Sequence, residues 1–269
     1  MASSRSSCIF ISPHCDDLCF SLDGLLGSLV GHRKVLINVF TIGNYIRRVS
    51  LLGGNGAPGE DAVSKIREME DREFCDRYEI ERVDCGLAEY GGEDRKGDQF
   101  IAYLENEMAR QIDFSENCHI FFPMALGGHV NHIQVFEACC LMMENYPQSD
   151  FILYEDLPYG HRMVDRFRRL GELADFIDGH GFRNYLRPLT AEEIARKRED
   201  VMIYRSQHVY REPSRVRIDR YFTRASLCRR PWEGIWLREG SDLTSIGNLR
   251  KNSDYRESLL WKFLQMFFI

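Results

Sequence analysis

Short apolar runs alternate with longer amphipathic stretches from Cys8 to Asp156. Five of the runs predict strands, and the first two are typical of buried strands, because the strands of a parallel sheet are covered on both faces. These predicted strands are Cys8–Ser12, Val35–Ile42, Arg82–Leu87, His119–Met124 and Phe151–Asp156. The stretches between them have helical spacing and predict helices over Leu18–His32, Ala62–Tyr78, Phe100–Ile112 and Val130–Tyr146. This alternation indicates βαβ units, and therefore an α/β fold with a mostly parallel sheet.

After Pro158 the pattern becomes mainly helical, and Glu192–Arg205 is the clearest predicted helix. No repeat and no linker rich in proline or serine divides the chain. We therefore predict one domain over residues 1–269, with a core of about 8–210 and a helical C-terminal elaboration over 211–269. The final apolar segment, Leu259–Ile269, is shorter than the ~20 residues of a membrane-spanning helix. This segment suits packing on the protein's own core or on a neighbouring subunit, and the alternative is attachment to a membrane surface.

The composition is that of a globular protein. Hydrophobic residues make up 44% of the 269 residues and charged residues 28%, which permits a sizeable core and excludes wholesale disorder. Nine cysteines are present, an odd number that includes the adjacent pair Cys139 and Cys140. Adjacent cysteines are awkward to bridge, so we predict reduced thiols and a cytoplasmic location. The start, Met1–Ser7, lacks the charged and apolar regions of a secretory signal.

The charge is negative overall but unevenly distributed. Lysine and arginine total 35 against 41 aspartates and glutamates, a net charge of −6, which argues against a general nucleic-acid-binding protein. Residues 160–230 contain 17 basic and 10 acidic residues, against 18 and 31 in the rest of the chain. A basic segment of this kind suits an anionic substrate. The alternative is a set of solvated helix faces whose arginine stems cover the core.

Two segments rich in histidine and acidic residues follow the first and fourth predicted strands, where ligands of open α/β sheets bind. His14, Asp17 and His132 offer two imidazoles and one carboxylate, which suit zinc and leave positions open to water. Asp16 is then available as a general base, and His129 can stabilise an oxyanion or protonate a leaving group. The alternatives are helix capping by an aspartate and a loop with exposed histidines.

The two segments also carry a resemblance to a known family. Ser12-Pro13-His14-Cys15-Asp16-Asp17 resembles the Pro-His-x-Asp-Asp signature of the PIG-L/LmbE superfamily of zinc-dependent de-N-acetylases, and Gly128-His129-Val130-Asn131-His132 is similar to its His-x-Asp/Asn-His signature. Further similarity, in the family's order from about residue 8 to 210, occurs at Arg67–Glu70, Gly86–Glu89 and Tyr154–Tyr159, and from Lys197 through Tyr204–Gln207. The chain departs from the usual pattern at Cys15, Leu18 and Asn131.

This resemblance implies a Rossmann-like, three-layer α/β fold with zinc at the carboxyl edge of the sheet. It implies that His14, Asp17 and His132 hold the zinc, that Asp16 is the general base, and that His129 polarises the carbonyl or stabilises the oxyanion. The residues implied at the substrate are Arg67, Glu89, Tyr154, Asp156 and Tyr159. For the last three, orienting the metal ligands or packing is an equally good interpretation.

The implied activity is removal of an N-acetyl or N-acyl group from a hexosamine-containing substrate: a sugar, a glycoconjugate or an antibiotic glycoside. Iron and cobalt are alternatives to zinc, because this ligand set does not discriminate sharply. The rival functions are a metal hydrolase of the same fold that cleaves another amide or a glycosidic bond, and a catalytically retired binding module. We expect a small-molecule or glycoconjugate partner, no nucleic acid and no transmembrane segment, and a homo-oligomer is compatible with the sequence. No G-x-G-x-x-G motif follows the first strand, which argues against dinucleotide binding.

Overall fold

The computed structural model describes residues 6–44, 59–89, 97–114, 118–157, 159, 163–207, 232–241, 243 and 249–251. The apolar segment Leu259–Ile269 lies outside these residues, and so does most of the glycine-rich stretch from Gly43 to Gly59 that follows the second predicted strand. No helix in the described residues is long and apolar enough to cross a membrane.

Within the described part of the chain, eight strands and seven helices form a mixed α/β structure. The strands are β1 (Ser7–Ser12), β2 (Arg33–Ile42), β3 (Ile80–Ala88), β4 (Cys118–Pro123), β5 (Asp150–Tyr154), β6 (Phe182–Pro188), β7 (Trp232–Arg238) and β8 (Arg250–Lys251). The helices are α1 (Asp17–Leu26), α2 (Glu60–Tyr78), α3 (Asp98–Ala109), α4 (Val130–Asn145), α5 (Met163–Glu172), α6 (Ala174–Gly179) and α7 (Ala191–Val201). The predicted five-strand α/β core is confirmed.

All eight strands lie in one sheet, in the order β3-β2-β1-β4-β5-β7-β6-β8. The strands β1 to β5 pair in parallel, while β7 pairs antiparallel with both β5 and β6, and β8 pairs antiparallel with β6. The strand order reverses at β1, which lies between β2 and β4. In open α/β sheets ligands bind in the crevice at this switch point.

Two hydrophobic clusters cover the two faces of the sheet and make the fold three-layered. In β1 the side chains alternate between them: Ile9 and Ile11 belong to one cluster, and Cys8 and Phe10 to the other. All six residues of β1 are buried, as the continuous apolar run predicts for a strand covered on both faces. Because β1 is buried and pairs with a strand on each side, it fixes the position of the loop that follows it.

The prediction of a mainly helical chain after Pro158 is incomplete. The helices α5, α6 and α7 confirm its helical part, but β6, β7 and β8 also belong to this region. The strand β7 is inserted between β5 and β6, so one sheet includes strands from both sides of residue 211. The division into a core of about 8–210 and an elaboration over 211–269 stays a prediction.

Candidate metal centre

The loops after β1 and β4 meet at the switch point and bring the predicted metal ligands together. The loop after β1 is fixed by hydrogen bonds from Ser12 Oγ to the His14 carbonyl oxygen (2.6 Å) and from the Phe40 amide to the Pro13 carbonyl oxygen (2.9 Å). Asp17 begins α1, and His132 lies in the first turn of α4. The two helix starts therefore face each other across the crevice.

His14, Asp17 and His132 form a compact buried group whose ligand atoms all lie within 4.8 Å of one another. Asp17 Oδ2 lies 3.2 Å from His14 Nδ1 and 3.2 Å from His132 Nε2. Metal–ligand bonds of ~2.0–2.1 Å at tetrahedral angles place neighbouring ligand atoms about 3.3 Å apart. The three side chains therefore fit one divalent ion such as zinc.

His132 is oriented from behind by Asp156. Its Nδ1 lies 2.9 Å from Asp156 Oδ1, while Asp156 Oδ2 accepts a 2.9 Å hydrogen bond from the Leu126 amide. The opposite ring atom, Nε2, is buried and makes no hydrogen bond with any described residue, although Asp17 is close. A histidine that is tied at one nitrogen to a carboxylate and has the other nitrogen free is the usual form of a metal ligand.

Asn131 orients the other histidine, a contact that the sequence analysis did not predict. Its side-chain Nδ2 lies 3.0 Å from His14 Nε2, and Asn131 is buried. The only signal in the sequence was its position between two histidines of the motif. Asn131 therefore fixes the ring of His14 from α4, as Asp156 fixes that of His132.

The electrostatics of the group favour a positive charge at its centre. Burial by itself raises the pKa of Asp17, but the positive charge of His132 holds that pKa well below its usual range. Burial lowers the pKa of His132, but the charges of Asp17 and Asp156 outweigh it and raise the pKa to about 10. Two carboxylates around a buried imidazole thus stabilise a proton or a metal cation at this position.

His129 precedes α4 and is electrically neutral at pH 7. Burial, together with the charges of His14 and His132, lowers its pKa to about 4. Its Nδ1 accepts a 3.3 Å hydrogen bond from the Asn131 amide, so the ring proton lies on Nε2. Its ring centroid is 5.1 Å from that of His14 and 5.4 Å from that of His132. His129 is therefore placed as a hydrogen-bond donor beside the metal ligands.

Asp16 and Tyr159 border the same crevice. The half-buried Asp16 occupies the N-cap position of α1, but its side chain makes no capping hydrogen bond, so the capping interpretation is not supported for it. Its negative charge acts on both Arg67 and His129. The ring of Tyr159 lies 4.8 Å from that of His132 and packs against Gly127, where a Cβ would lie 2.8 Å from two of the ring carbons.

Arg67 and Glu89 form a buried ion pair at the carboxyl end of β3, and both also lie close to Gly43 after β2. Arg67 is 4% exposed, and its Nε has no hydrogen-bond partner among the described residues. It lines a cavity of about 300 Å³ whose wall also includes Cys15 from the loop after β1. The predicted sugar-contacting pair is thus adjacent to the site.

Tyr154 and Asp156 lie behind the site rather than at its opening. Tyr154 is 1% exposed and donates a 3.0 Å hydrogen bond to the Ile11 carbonyl oxygen, so the structure does not bring its side chain to the cavity. Asp156 is fully buried against His132. For these two residues the geometry favours the packing and orienting interpretations over substrate contact.

The chain has the fold of solved LmbE/PIG-L deacetylases, and the resemblance that its motifs indicate is confirmed at the level of the fold. The A40926 pseudoaglycone deacetylase Dbv21 superposes with a TM-score of 0.65, at 21% identity, over 87% of this chain and 97% of its own. The zinc-inhibited form of teicoplanin deacetylase Orf2 superposes with a TM-score of 0.61, at 18% identity, over 93% and 100%.

One curated relative is similar in sequence. The 2'-N-acetylparomamine deacetylase of Streptomyces fradiae is 30% identical over 185 residues, which cover 64% of this chain. The match spans 65% of the relative's length. No protein-family model matches the sequence.

Proposed function

We propose that this protein is a metal-dependent deacetylase that hydrolyses the N-acetyl group of an amino-sugar unit in a small glycoside or glycoconjugate. The observation that carries the proposal is the buried His14, Asp17 and His132 group, beside which the ring of His129 lies 5.1 Å from that of His14. The deacetylases that share the fold and the sequence similarity to a paromamine deacetylase support the substrate class.

A divalent ion, zinc in our proposal, would be held by His14, Asp17 and His132 and would supply Lewis acidity toward water and the acetyl carbonyl. Asp16 accepts the proton of the water that attacks the carbonyl carbon, and it returns that proton to the departing amine. The Nε2–H of neutral His129 donates a hydrogen bond to the carbonyl oxygen as it becomes negative. A donor of this kind contributes ~3–4 kcal/mol to transition-state stabilisation. The C–N bond breaks, and acetate and the free amino sugar are the products.

The remaining residues of the crevice hold and shield the substrate. Arg67, paired with Glu89, lines the cavity and binds the hydroxyl groups of the sugar there. The ring of Tyr159 covers His132 and excludes water from that side. We also propose a reducing, cytoplasmic location, which the eight free cysteines of the described residues support.

The test is acetate release by the metal-loaded chain from N-acetylglucosamine, a sugar nucleotide of it and 2'-N-acetylparomamine. We expect Asp16→Asn to lower kcat by ~10²–10⁴-fold, because it removes the general base and keeps the shape. The exposed Asp76→Asn on α2 is the control and should leave kcat unchanged. Metal content, measured by elemental analysis, should remain near that of the wild type in both variants.

Full activity of metal-loaded Asp16→Asn would contradict the mechanism. Release of a sugar or of an acid other than acetate would instead favour a hydrolase of another bond. Binding of these sugars by metal-loaded wild type without any turnover would favour the retired binding module.

A further inference from the structure

One face of α2 carries charged residues where a helix that packs on a sheet is normally apolar. Arg67, Glu70 and Asp71 are three and four residues apart and share this face. Arg67 and Asp71 are buried, and Glu70 is half-buried. Burying charges costs free energy unless they are paired, so a stable packing surface alone does not require them.

The turn Tyr204–Gln207 after α7 binds two of these residues. It is closed by a hydrogen bond from the Gln207 amide to the Tyr204 carbonyl oxygen (3.1 Å). The Tyr204 hydroxyl donates to Asp71 Oδ1 at 3.0 Å. Ser206 donates hydrogen bonds to both carboxylate oxygens of Glu70, from its amide at 2.8 Å and from its Oγ at 2.6 Å. The turn therefore fixes α2 at two adjacent positions.

Asp71 links the turn to the sheet as well. Asn38 of β2 donates to Asp71 Oδ2 at 2.6 Å, and Nε of Arg82 in β3 donates to the same atom at 2.5 Å. One helical turn earlier on this face, Arg67 pairs with Glu89 and lines the cavity. Glu70 and Asp71 are thus tied to the turn and Asp71 also to the sheet, and of the three residues only Arg67 lines the cavity.

The aromatic ring of Tyr204 has a separate packing role. Its centroid lies 6.2 Å from that of Phe20 in α1 and 5.9 Å from that of Phe74 in α2. These contacts account for an aromatic residue at this position but not for its hydroxyl group. Tyr204→Phe keeps the packing and removes only the hydrogen bond to Asp71, which makes it a clean test.

We propose that the turn Tyr204–Gln207 is a positioning element that holds α2 so that Arg67 meets the sugar. The inference rests on the proposed function, because Arg67 is there the residue that binds the sugar. Tyr204 and Ser206 do not touch the substrate, and they act only through the placement of α2. Looser placement of a sugar-binding residue weakens ground state and transition state alike, which raises KM and leaves kcat unchanged.

The experiment is steady-state acetate release by the metal-loaded full chain with Tyr204→Phe and Ser206→Ala. We expect KM to rise by about 3–10-fold, the range for loss of one or two positioning hydrogen bonds, with kcat within about twofold of wild type. A cycle with Arg67→Ala tests the route: Tyr204→Phe should have no further effect on KM when Arg67 is absent. Thr190→Ala, which removes the capping box of α7, is the control for general destabilisation.

The outcomes separate the two ideas. An active wild type with unchanged KM in both variants would overturn the positioning role and leave the proposed function intact. An equal rise of KM in Thr190→Ala, or additive effects of Tyr204→Phe and Arg67→Ala, would show that the turn acts only through stability. No acetate release by metal-loaded wild type from any of the substrates would overturn the proposed function and this inference with it.

Discussion

Asp156→Asn tests how the protein prepares His132 for a metal ion. The substitution keeps the size and shape of the side chain but exchanges one carboxylate oxygen for an NH₂ group. We expect the affinity for zinc to fall by about 10–100-fold, the usual effect of removing a partner of a ligating histidine. The fold should persist, because no volume is lost from the core.

The magnitude follows from the two hydrogen bonds of Asp156. Both of its partners are donors when a metal is bound: the Leu126 amide and Nδ1–H of His132, each at 2.9 Å. An asparagine has a single acceptor oxygen, so its NH₂ group must face one of these donors in a buried site. An unsatisfied buried group costs about 1–3 kcal/mol. A cost of about 1.4–2.7 kcal/mol corresponds to the 10–100-fold loss.

The assay is competition for zinc between the protein and a chromophoric chelator at fixed pH. Asp150→Asn is a matched control, because Asp150 Oδ2 lies 3.0 Å from Nδ1 of His119 in a similar pair at the other end of β4 and β5. This control should lose stability without losing zinc affinity. An unchanged dissociation constant in Asp156→Asn, or an equal loss in Asp150→Asn, would refute the orienting role of Asp156.

Two further substitutions test the role of Tyr159 and the protonation of the buried Asp23 in α1. Gly127→Ala places a methyl group 2.8 Å from ring carbons of Tyr159 and should lower kcat/KM by about tenfold or more at unchanged metal content, since a small displacement near the chemistry suffices for such losses. The control Gly171→Ala has open space, and equal kinetics of the two variants would argue against this role of Tyr159. Burial raises the pKa of Asp23 to about 8, so the folded chain keeps a proton that the unfolded chain releases near pH ~4, and this group lowers stability as pH rises from about 4 to about 8. The Tm of Asp23→Asn, measured by scanning calorimetry, should therefore fall less between pH 5 and 8 than the Tm of the wild type. An equal fall of Tm in the two proteins would contradict the raised pKa of Asp23.

The parallel strands were predictable because four of them are short apolar runs, and their observed ends lie within two residues of the predicted ones. The exception is β3, which contains Arg82 and Asp84 and is largely exposed or half-buried. The end of α1 was not predictable. It was predicted at His32, whereas the helix ends at Leu26. Leu29 is fully buried and continues the apolar spacing, but the backbone there forms i to i−3 hydrogen bonds, from Ser28 to Leu25 and from Leu29 to Leu26. The spacing of apolar residues predicts which side chains are buried, but it does not predict where the backbone hydrogen bonds of an α-helix end.

The strand β7 was missed because a buried charge interrupts its apolar run. Glu233 is fully buried, accepts hydrogen bonds from the Gly24 and Leu25 amides at 2.8 and 2.9 Å, and pairs with Lys197 at 2.8 Å. Gly24 and Leu25 precede Glu233 by more than 200 residues in the sequence, and Lys197 precedes it by 36. Only their presence makes a glutamate acceptable in a central strand, and a single sequence does not reveal distant partners.

The grouping of His14, Asp17 and His132 was predictable because strand ends in a parallel sheet lie at one edge, and the structure brings the three together. Their roles, and those of Asp16 and His129, stay predictions that the experiments above test. The supports of the site were harder to foresee. The contact of Asn131 with His14 depends on the exact rotation of α4, which a motif does not specify.

The position of β7 between β5 and β6 has a consequence for biosynthesis. All of the predicted metal ligands and the residues that orient them have been synthesised once Asp156 is made, and a nascent chain begins to fold from its N-terminus. Yet the preceding residue, Glu155, receives a hydrogen bond from Trp236 Nε1 (3.1 Å), and its amide donates to the Gly234 carbonyl oxygen (3.0 Å). A nascent chain that ends before β7 therefore contains all three predicted metal ligands, but β5, the strand that precedes Asp156, is still an unpaired edge of the sheet. The predicted metal-binding group is thus fully synthesised before the strand that pairs with β5 on its outer side.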